Sequence, residues 1–294
     1  MRAAGRRPGG ALWRPSTAAR GRAKGLGRWR DAAAGLVCGI VALVVHAHDT
    51  WLVADAVRYD GPTAVILGLA SGNSFPEAES GFLPERIAAA SYRLGGVRHP
   101  LSVLRVTPEQ LRLRLAPQLP GIAAVAVTVK PLDIEIDDRI VELYFDEINA
   151  STGQRSAWGS AGPTRRWRER FVKHAKTFVR FGVDDDAAAW SRPMGAAYEI
   201  LPEADPTTLT AGDSLPVRVL KNGQPLGGLQ LAAVRDRKVT GGFVATGADG
   251  RALISLPEAG WWLIRGTELR QRDASGTRWD SDWVSLSLFV APHR

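Results

Sequence analysis

Apolar and polar residues alternate in short runs through most of the chain after Thr50. Residues 110–115 (QLRLRL) and 132–136 (LDIEI) repeat with a period of two, which is typical of strands with one buried face. Residues 63–69 and 122–129 are continuously apolar, which indicates buried strands, and the second is long enough for a central strand. This part of the chain is therefore predicted to be mainly β.

Two helical segments are predicted to interrupt these strands. Asp138 can cap a helix whose apolar face comprises Ile140, Val141, Tyr144, Phe145 and Ile148. A loop is predicted at residues 150–163, which are rich in Ser, Gly and Thr, and a second helix is predicted to begin at Thr164. The apolar residues of that second helix are spaced by four: Trp167, Phe171 and Ala175.

Shorter and more regular strands are predicted after residue 206. Asn222-Gly223 is a strong hairpin signal, so residues 229–234 are expected to return beside residues 215–220. Further strands are predicted at residues 252–256, 261–264 and 284–290. We place a domain boundary near residues 201–206. The sequence thus predicts a mostly β protein of two antiparallel β-sandwich domains, 48–200 and 201–294. The second is expected to be immunoglobulin-like or transthyretin-like, and the first to carry one or two short helices.

The net charge of +8 belongs to the first 47 residues, which hold nine basic residues and one acidic residue. Residues 48–294 hold 29 of each sign, so they offer no electrostatic reason to bind nucleic acid. The single cysteine, Cys38, also lies in this leader. Disulfides, cysteine-based zinc sites and thiol catalysis are therefore excluded for the rest of the chain.

The leader has the layout of a secretory signal peptide. A basic stretch precedes 14 uncharged residues, 32–45, and Val45 and Ala47 are compact residues at positions −3 and −1 of a cleavage site. The run is shorter than the ~20 apolar residues of a spanning helix. We therefore expect cleavage after Ala47 and a periplasmic protein. An uncleaved leader would instead anchor it in the inner membrane.

Cleavage after Ala47 would make His48 the first residue. Its α-amine and ring Nδ1 could then close a six-membered chelate on a transition metal, and such nitrogen ligands suit Ni, Co, Cu or Zn. Asp49, Glu268 and His99 are candidates for further ligands, and His174 is a weaker one. The simpler alternative is that His48 only marks where the signal ends.

Other charged and aromatic groups have ordinary explanations beside functional ones. Asp133, Glu135 and Asp137 would share one strand face, where they could bind a hard cation or only face solvent. The basic residues of the second predicted helix are expected to be solvated: Arg165, Arg166, Arg168, Arg170, Lys173 and Lys176. The eight tryptophans after the leader could bind sugars or fill a core. Nucleophile-elbow, phosphate-loop and dinucleotide motifs are absent from the sequence, so a non-enzymatic protein is expected.

Seven segments together resemble one family: HDTWL (48–52), SGNSFP (71–76), RERFVKHAKTFVRFG (168–182), EADP (203–206), LPVRVLKNGQPL (215–226), DGR (249–251) and GWWLI (260–264). This is the bacterial periplasmic family of domain of unknown function 4198, formerly labelled a NikM-like nickel-uptake component. The resemblance covers residues 48–290 and implies β-rich modules behind a signal peptide, with a metal-transport component as partner. It supports His48 as a ligand, and it places Glu268 where some relatives carry a histidine.

The sequence therefore predicts an exported protein that binds or hands over a transition metal through His48. The alternative is a structural or glycan- or protein-binding β-sandwich without a metal.

Overall fold

The structure is a computed structural model that describes residues 48–183 and 189–293. The predicted signal peptide, its cleavage site and Cys38 lie outside the described residues. Within them the chain forms seventeen strands and two α-helices, which confirms the prediction of a mostly β fold with one or two short helices before residue 200. None of the helices in the described ranges is long and apolar enough to cross a membrane.

The strands before residue 200 are β1 (Asp49–Ala54), β2 (Arg58–Tyr59), β3 (Val65–Gly72), β4 (Ile87–Leu94), β5 (Val97–Pro100), β6 (Ser102–Val106), β7 (Leu111–Leu115), β8 (Gly121–Ile136), β9 (Trp167–Phe181) and the start of β10 (Tyr198–Pro202). Those after it are β11 (Asp213–Lys221), β12 (Gln224–Pro225), β13 (Gln230–Arg235), β14 (Lys238–Ala245), β15 (Arg251–Leu256), β16 (Gly260–Gln271) and β17 (Arg278–Val290). The helices are α1 (Asp138–Ile148) and α2 (Thr152–Gly159).

Nine strands form a central sheet in the order β14-β13-β16-β17-β9-β8-β4-β5, with β2 pairing at the end of β9. Neighbours are antiparallel except that β9 is parallel to β17 and to β2. The central sheet is therefore mixed, whereas the sequence predicted antiparallel sheets.

Each face of the central sheet packs against a different four-stranded sheet. The N-terminal sheet, β1-β3-β7-β6, covers one face, and its core includes Leu52 and Leu67 against Val125 and Val179. The C-terminal sheet, formed by β10, β11, β12 and β15, covers the other face. Because side chains alternate along each strand, the same central strands contribute to both cores. The result is two sandwiches that share one sheet.

This shared sheet runs across the boundary that we placed near residues 201–206. Strands β8 and β9 come from before it, and β16 and β17 come from after it. The described residues accordingly fall within one compact unit. The pairing of β9 with β17 explains this, because it joins the two predicted domains through backbone hydrogen bonds.

The helix predicted from Thr164 is wrong, because residues 167–181 form β9. Residues spaced by four also share a face under a period of two, so Trp167 and Phe171 fit a strand as well as a helix. The second helix is α2, within residues 150–163, where we predicted a loop. Ser151 caps it and Gln154 completes a capping box, a signal that the Ser-rich composition concealed.

Two smaller expectations also change. Helix α1 has the predicted buried face of Val141, Tyr144, Phe145 and Ile148, but Asp137 rather than Asp138 is its N-cap. At Asn222-Gly223 the chain does turn, but the strand that returns is only the two-residue β12, and the longer partners of β11 are β10 and β15. The predicted returning strand, β13, crosses instead to the central sheet.

Candidate functional site

Strand β1 lies with its free edge against the central sheet. The Ser285 hydroxyl donates to the carbonyl oxygen of Thr50 at 2.5 Å, and the backbone N–H of Leu52 donates to the Ser287 hydroxyl at 3.3 Å. Both serines lie on β17. A sheet edge leaves backbone groups unpaired, so these hydroxyls satisfy donors and acceptors that a neighbouring strand would otherwise take. The start of β1 is thereby fixed against β17 of the central sheet.

The backbone of His48, just before β1, is held by a buried lysine. The Lys173 ammonium donates to the His48 carbonyl oxygen at 2.5 Å and to the Ser71 hydroxyl at 3.1 Å. Ser71 in turn donates to the carbonyl oxygen of Asp49 at 2.7 Å. Lys173 lies on β9 and only 5% of its surface is exposed. The residue that would begin the processed chain is therefore tied to the fold.

The ring of His48 faces polar groups of the segment after β3. Its Nδ1 lies 2.9 Å from Oδ1 of Asn73, whose backbone N–H donates to Glu79 at 3.0 Å. Burial acts to raise the pKa of Glu79, but hydrogen bonds from Ser74 and Asn73 and the charge of His48 outweigh it. The net pKa shift is downward, so this carboxylate stays ionised beside the imidazole.

Beneath His48 the charges are paired in the interior. Asp49 forms an ion pair with the Arg265 guanidinium at 2.8 Å, and Arg265 also donates a hydrogen bond to the carbonyl oxygen of Glu147 at 3.0 Å. Asp49 and Arg265 are both at least nine-tenths buried. Unpaired charges would be costly there, so this pair neutralises the wall under the site.

Burial shifts the protonation equilibria of three groups around this pair. It raises the pKa of Glu147 to about 7, and the neighbouring Asp49 adds to the rise. It lowers the pKa of Lys173 to about 8, against the opposing charges of Asp49, Glu147 and Glu169. It also raises the pKa of Asp49, against Arg265, Lys173 and His48. In each case low polarity disfavours the charged form.

The four predicted ligands do not come together. Asp49 is engaged by Arg265 on β16, and Glu268 is three residues further along that strand. An odd spacing puts two residues on opposite faces of a strand, so Glu268 faces the C-terminal sheet. His99 lies on β5, five strands from β16, which is about 24 Å at the usual strand spacing. His99 stacks on Tyr92 with ring centroids 4.9 Å apart.

Glu268 is instead bound by cations and a phenol. It accepts from Lys221 at 2.8 Å and from Arg270 at 2.5 Å, and the Tyr198 hydroxyl also donates to it. Burial acts to raise the pKa of Glu268, but these three donors outweigh it and the shift is downward. The neighbouring His174 lies on β9, not at a helix end, and bonds Asp282 at 3.2 Å. This network joins the central and C-terminal sheets.

Within residues 48–183 and 189–293, no group of three or more His, Cys, Asp or Glu side chains could hold a metal ion. Of the strand carboxylates, Asp133 pairs with Arg170 at 3.2 Å and Glu135 with Arg168 at 3.0 Å. Both pairs are exposed cross-strand contacts between β8 and β9. They account for Asp133, Glu135 and two of the arginines that we expected on a helix; the third predicted carboxylate, Asp137, lies after the end of β8 and caps α1.

The tryptophans fill cores. Of the eight after the leader, all within the described residues, seven are buried: Trp51, Trp158, Trp167, Trp190, Trp262, Trp279 and Trp283. Trp167 stacks on Trp279 with centroids 4.8 Å apart under helices α1 and α2. Trp261 alone among them is half-exposed.

Sequence reasoning missed the residues that surround His48: Ser71, Asn73, Glu79, Glu147, Lys173 and Arg265. A signal was present for some of them. The segments 48–52, 71–76 and 168–182, which carry the family resemblance, meet at this site through His48, Ser71 and Lys173. The inward position of Lys173 follows from reading 167–181 with a period of two.

Comparisons with known proteins give a family and no close relative. Residues 45–267 match the family described as Domain of unknown function (DUF4198). No curated protein shows significant similarity to the sequence.

Solved structures resemble the chain only weakly. A tetra-tandem repeat from the extending region of a large adhesion protein is 13% identical, with a TM-score of 0.20 over 82% of this chain and 49% of that one. The Bacillus anthracis TIE protein is 9% identical, with a TM-score of 0.18 over 83% and 39%. Escherichia coli alpha-2-macroglobulin activated by porcine elastase is 12% identical, with a TM-score of 0.21 over 83% and 20%. The chain spans less than half of each of these structures.

Proposed function

The chain belongs to the family of Domain of unknown function (DUF4198), and from this membership we propose that it is an exported, non-enzymatic periplasmic protein that carries a transition-metal ion on His48. In this proposal the metal is cargo, taken up and passed to a transport component. Cleavage after Ala47 creates the site, because it frees the α-amine of His48.

Processing would give His48 two nitrogen donors, its amine and its ring Nδ1. An amine of this kind has an ordinary pKa of ~7.7–8.0, so a metal ion can displace its proton near neutral pH. Imidazole and amine nitrogens suit Ni, Co, Cu and Zn. The proposal therefore needs no cysteine, in keeping with the absence of cysteine after the leader.

One observation carries the proposal: the backbone of His48 is anchored by Lys173 at 2.5 Å. Chain termini usually fray unless something ties them down. A terminal chelate that is anchored loses less conformational entropy on binding a metal than one on a frayed end. The anchor acts on the carbonyl group, which the chelate does not use.

The donors around the ring fit a weak, open site. Asn73 Oδ1 lies 2.9 Å from Nδ1 and can accept its proton, so a metal on Nδ1 takes the place of this hydrogen bond; the amide oxygen and the ionised Glu79 behind it then lie close to the metal. Asp49 is excluded because Arg265 occupies it, and Glu268 and His99 lie elsewhere. A site with two protein nitrogens and exchangeable remaining positions suits transfer of a metal rather than its storage.

The test is native mass spectrometry of protein recovered from the periplasm of a bacterial host, without a tag at its N-terminus. We expect a mass that begins at His48 and gains one Ni, Co, Cu or Zn ion on exposure to these metals. A variant with Gly-Ser-Gly-Ser inserted after Ala47 keeps the imidazole but places it fifth in the processed chain, too far from the amine to share a chelate with it, so it should lose the metal. His99→Ala is the matched control and should keep it.

Two results would overturn the proposal. A processed protein that starts at His48 and stays metal-free would rule out metal carriage. The alternative function, a structural or ligand-binding β-sandwich without a metal, would then remain. An uncleaved mass would remove the chelate altogether.

A further inference from the structure

A cleft of about 460 Å³ opens between the β1–β2 connection, the segment before β11 and the ends of β16 and β17. Its lining includes Val57, Leu209, Trp261, Phe289 and Pro292 and is mainly apolar. Clefts of this size and character commonly hold small molecules. His48 does not line it, so it is separate from the proposed metal site.

One wall of this cleft is aromatic. Trp261 and Phe289 are directly opposite each other on β16 and β17, with ring centroids 5.7 Å apart in an edge-to-face arrangement. Both rings are half-exposed, although the other tryptophans after the leader are buried. A pair of rings locked by cross-strand packing offers a rigid apolar surface at little cost in entropy.

The polar lining narrows the choice of ligand. The hydroxyls of Thr207 and Thr210 are occupied by Asp205 and Asp213, and Thr208 bonds the carbonyl oxygen of Asp205. Arg58 and Asp55 remain, both exposed, and neither forms an ion pair with any residue that the structure describes.

Arg58 also has a cation as its strand neighbour. It pairs in register with Arg180, whose guanidinium is bound to Asp205 and donates to Thr207 at 2.9 Å. Because Asp205 forms its ion pair with Arg180, it does not pair with Arg58, and the N–H donors of the Arg58 guanidinium remain available to a ligand. Guanidinium donors match the two oxygens of a carboxylate or a related anion.

We propose that this cleft binds a small amphipathic anion, with its ring or apolar body against Trp261 and Phe289 and its anionic group on Arg58. The apolar wall sets the affinity and Arg58 sets the preference for a negative charge. Asp55 lies at the same mouth and works against the anion.

Two fluorescent probes of matched shape test this in the full chain. 8-Anilinonaphthalene-1-sulfonate carries a negative charge, and N-phenyl-1-naphthylamine is its neutral counterpart. We expect one site per chain for each probe. Arg58→Gln should weaken the sulfonate by about tenfold and leave the neutral probe unchanged. Asp55→Asn should tighten the sulfonate about two- to threefold.

Trp261→Ala should weaken both probes by about tenfold or more. If that variant fails to fold, Trp261→Leu keeps apolar volume and should still weaken both probes. Arg112→Gln, an arginine on the N-terminal sheet, is the matched charge control and should change neither. The proposal fails if wild-type protein binds neither probe. It also fails if Arg58→Gln affects both probes equally, or if neither Trp261 variant changes binding.

Discussion

The ammonium group of Lys173 lies 2.5 Å from the carbonyl oxygen of His48, across 125 positions of sequence. Lys173 is buried on the central strand β9, while His48 precedes the first strand of the described chain. The contact places a charged donor under the residue proposed to carry the metal. It also leaves Lys173 dependent on Asp49 and Glu147 for compensation of its charge.

Replacing Lys173 with Met should therefore loosen the start of β1. We expect the free energy of unfolding to fall by about 2–3 kcal/mol, because Asp49 and Glu147 lose a buried counter-charge. Hydrogen exchange at the amides of β1 should also speed up. Lys238→Met, at an exposed position on β14, is the control and should be near neutral. Unchanged stability and exchange in Lys173→Met would contradict the role of Lys173 as an anchor.

Glu268→Gln should separate stability from metal binding. Lys221 and Arg270 would lose their ionised partner, which we expect to cost about 1 kcal/mol in a denaturant titration. Metal uptake measured by mass spectrometry should stay at the wild-type level, because Glu268 lies on the opposite face of the central sheet from Asp49. A loss of metal in this variant at unchanged folding would return Glu268 to the ligand set.

Stability should pass through a minimum near pH 7–8. The ordinary pKa of Glu147 is 4.5 and burial raises it to about 7, so the folded state holds this proton longer than the unfolded chain. The free energy of unfolding then falls as pH rises from about 4.5 to about 7. For Lys173 the pKa drops from 10.5 to about 8, so stability rises again between these values.

Glu147→Gln tests the falling part of this profile. We compare the free energies of unfolding of this variant and wild type by denaturant titration at pH 5 and at pH 8. From the lower to the higher pH, the variant should become more stable relative to wild type by about 1–2 kcal/mol. Glu142→Gln, on the exposed side of α1, serves as its control. Equal profiles for wild type and Glu147→Gln would show that Glu147 titrates normally.

Ser287→Ala should free the edge of β1. It removes the acceptor of the Leu52 N–H, and we expect a loss of about 1 kcal/mol. Amide exchange of Leu52 should rise more than that of Leu69 on the paired strand β3. The exposed Ser255 on β15 provides a comparison, and Ser255→Ala should leave both stability and exchange as they are. Exchange at Leu52 that does not respond would mean that water replaces the serine.

The sequence predicted the strands better than their partners. Alternation located β7 and the second half of β8, because a strand with one buried face needs every second residue apolar, and a continuous apolar run located the first half of β8. The pairing of β9 with β17 could not be predicted, since no local pattern specifies which distant strand lies alongside. The spacing of Trp167 and Phe171 was ambiguous, because residues four positions apart lie on one face of a strand as well as on one face of a helix. That ambiguity turned β9 into a helix in our prediction and hid the burial of Lys173.

The candidate site was predictable only in part. His48 followed from the leader, which is a local signal. Asn73 and Glu79 meet it through the pairing of β1 with β3, and Arg265 meets Asp49 through packing between sheets. Glu268 was assigned from a resemblance in sequence, which does not say on which side of a strand a residue points.

The sheet shared by both sandwiches also governs when the protein can fold. Strand β9 gains its neighbour β17 from residues 110 positions later in the chain. A ribosome therefore completes β8 and β9 long before the strand that closes their edge exists. Folding of the described residues is therefore expected to be a late and slow event of high contact order. Until β17 is made, the edge of β9 that it covers is left unpaired, and an unpaired edge of this kind favours aggregation.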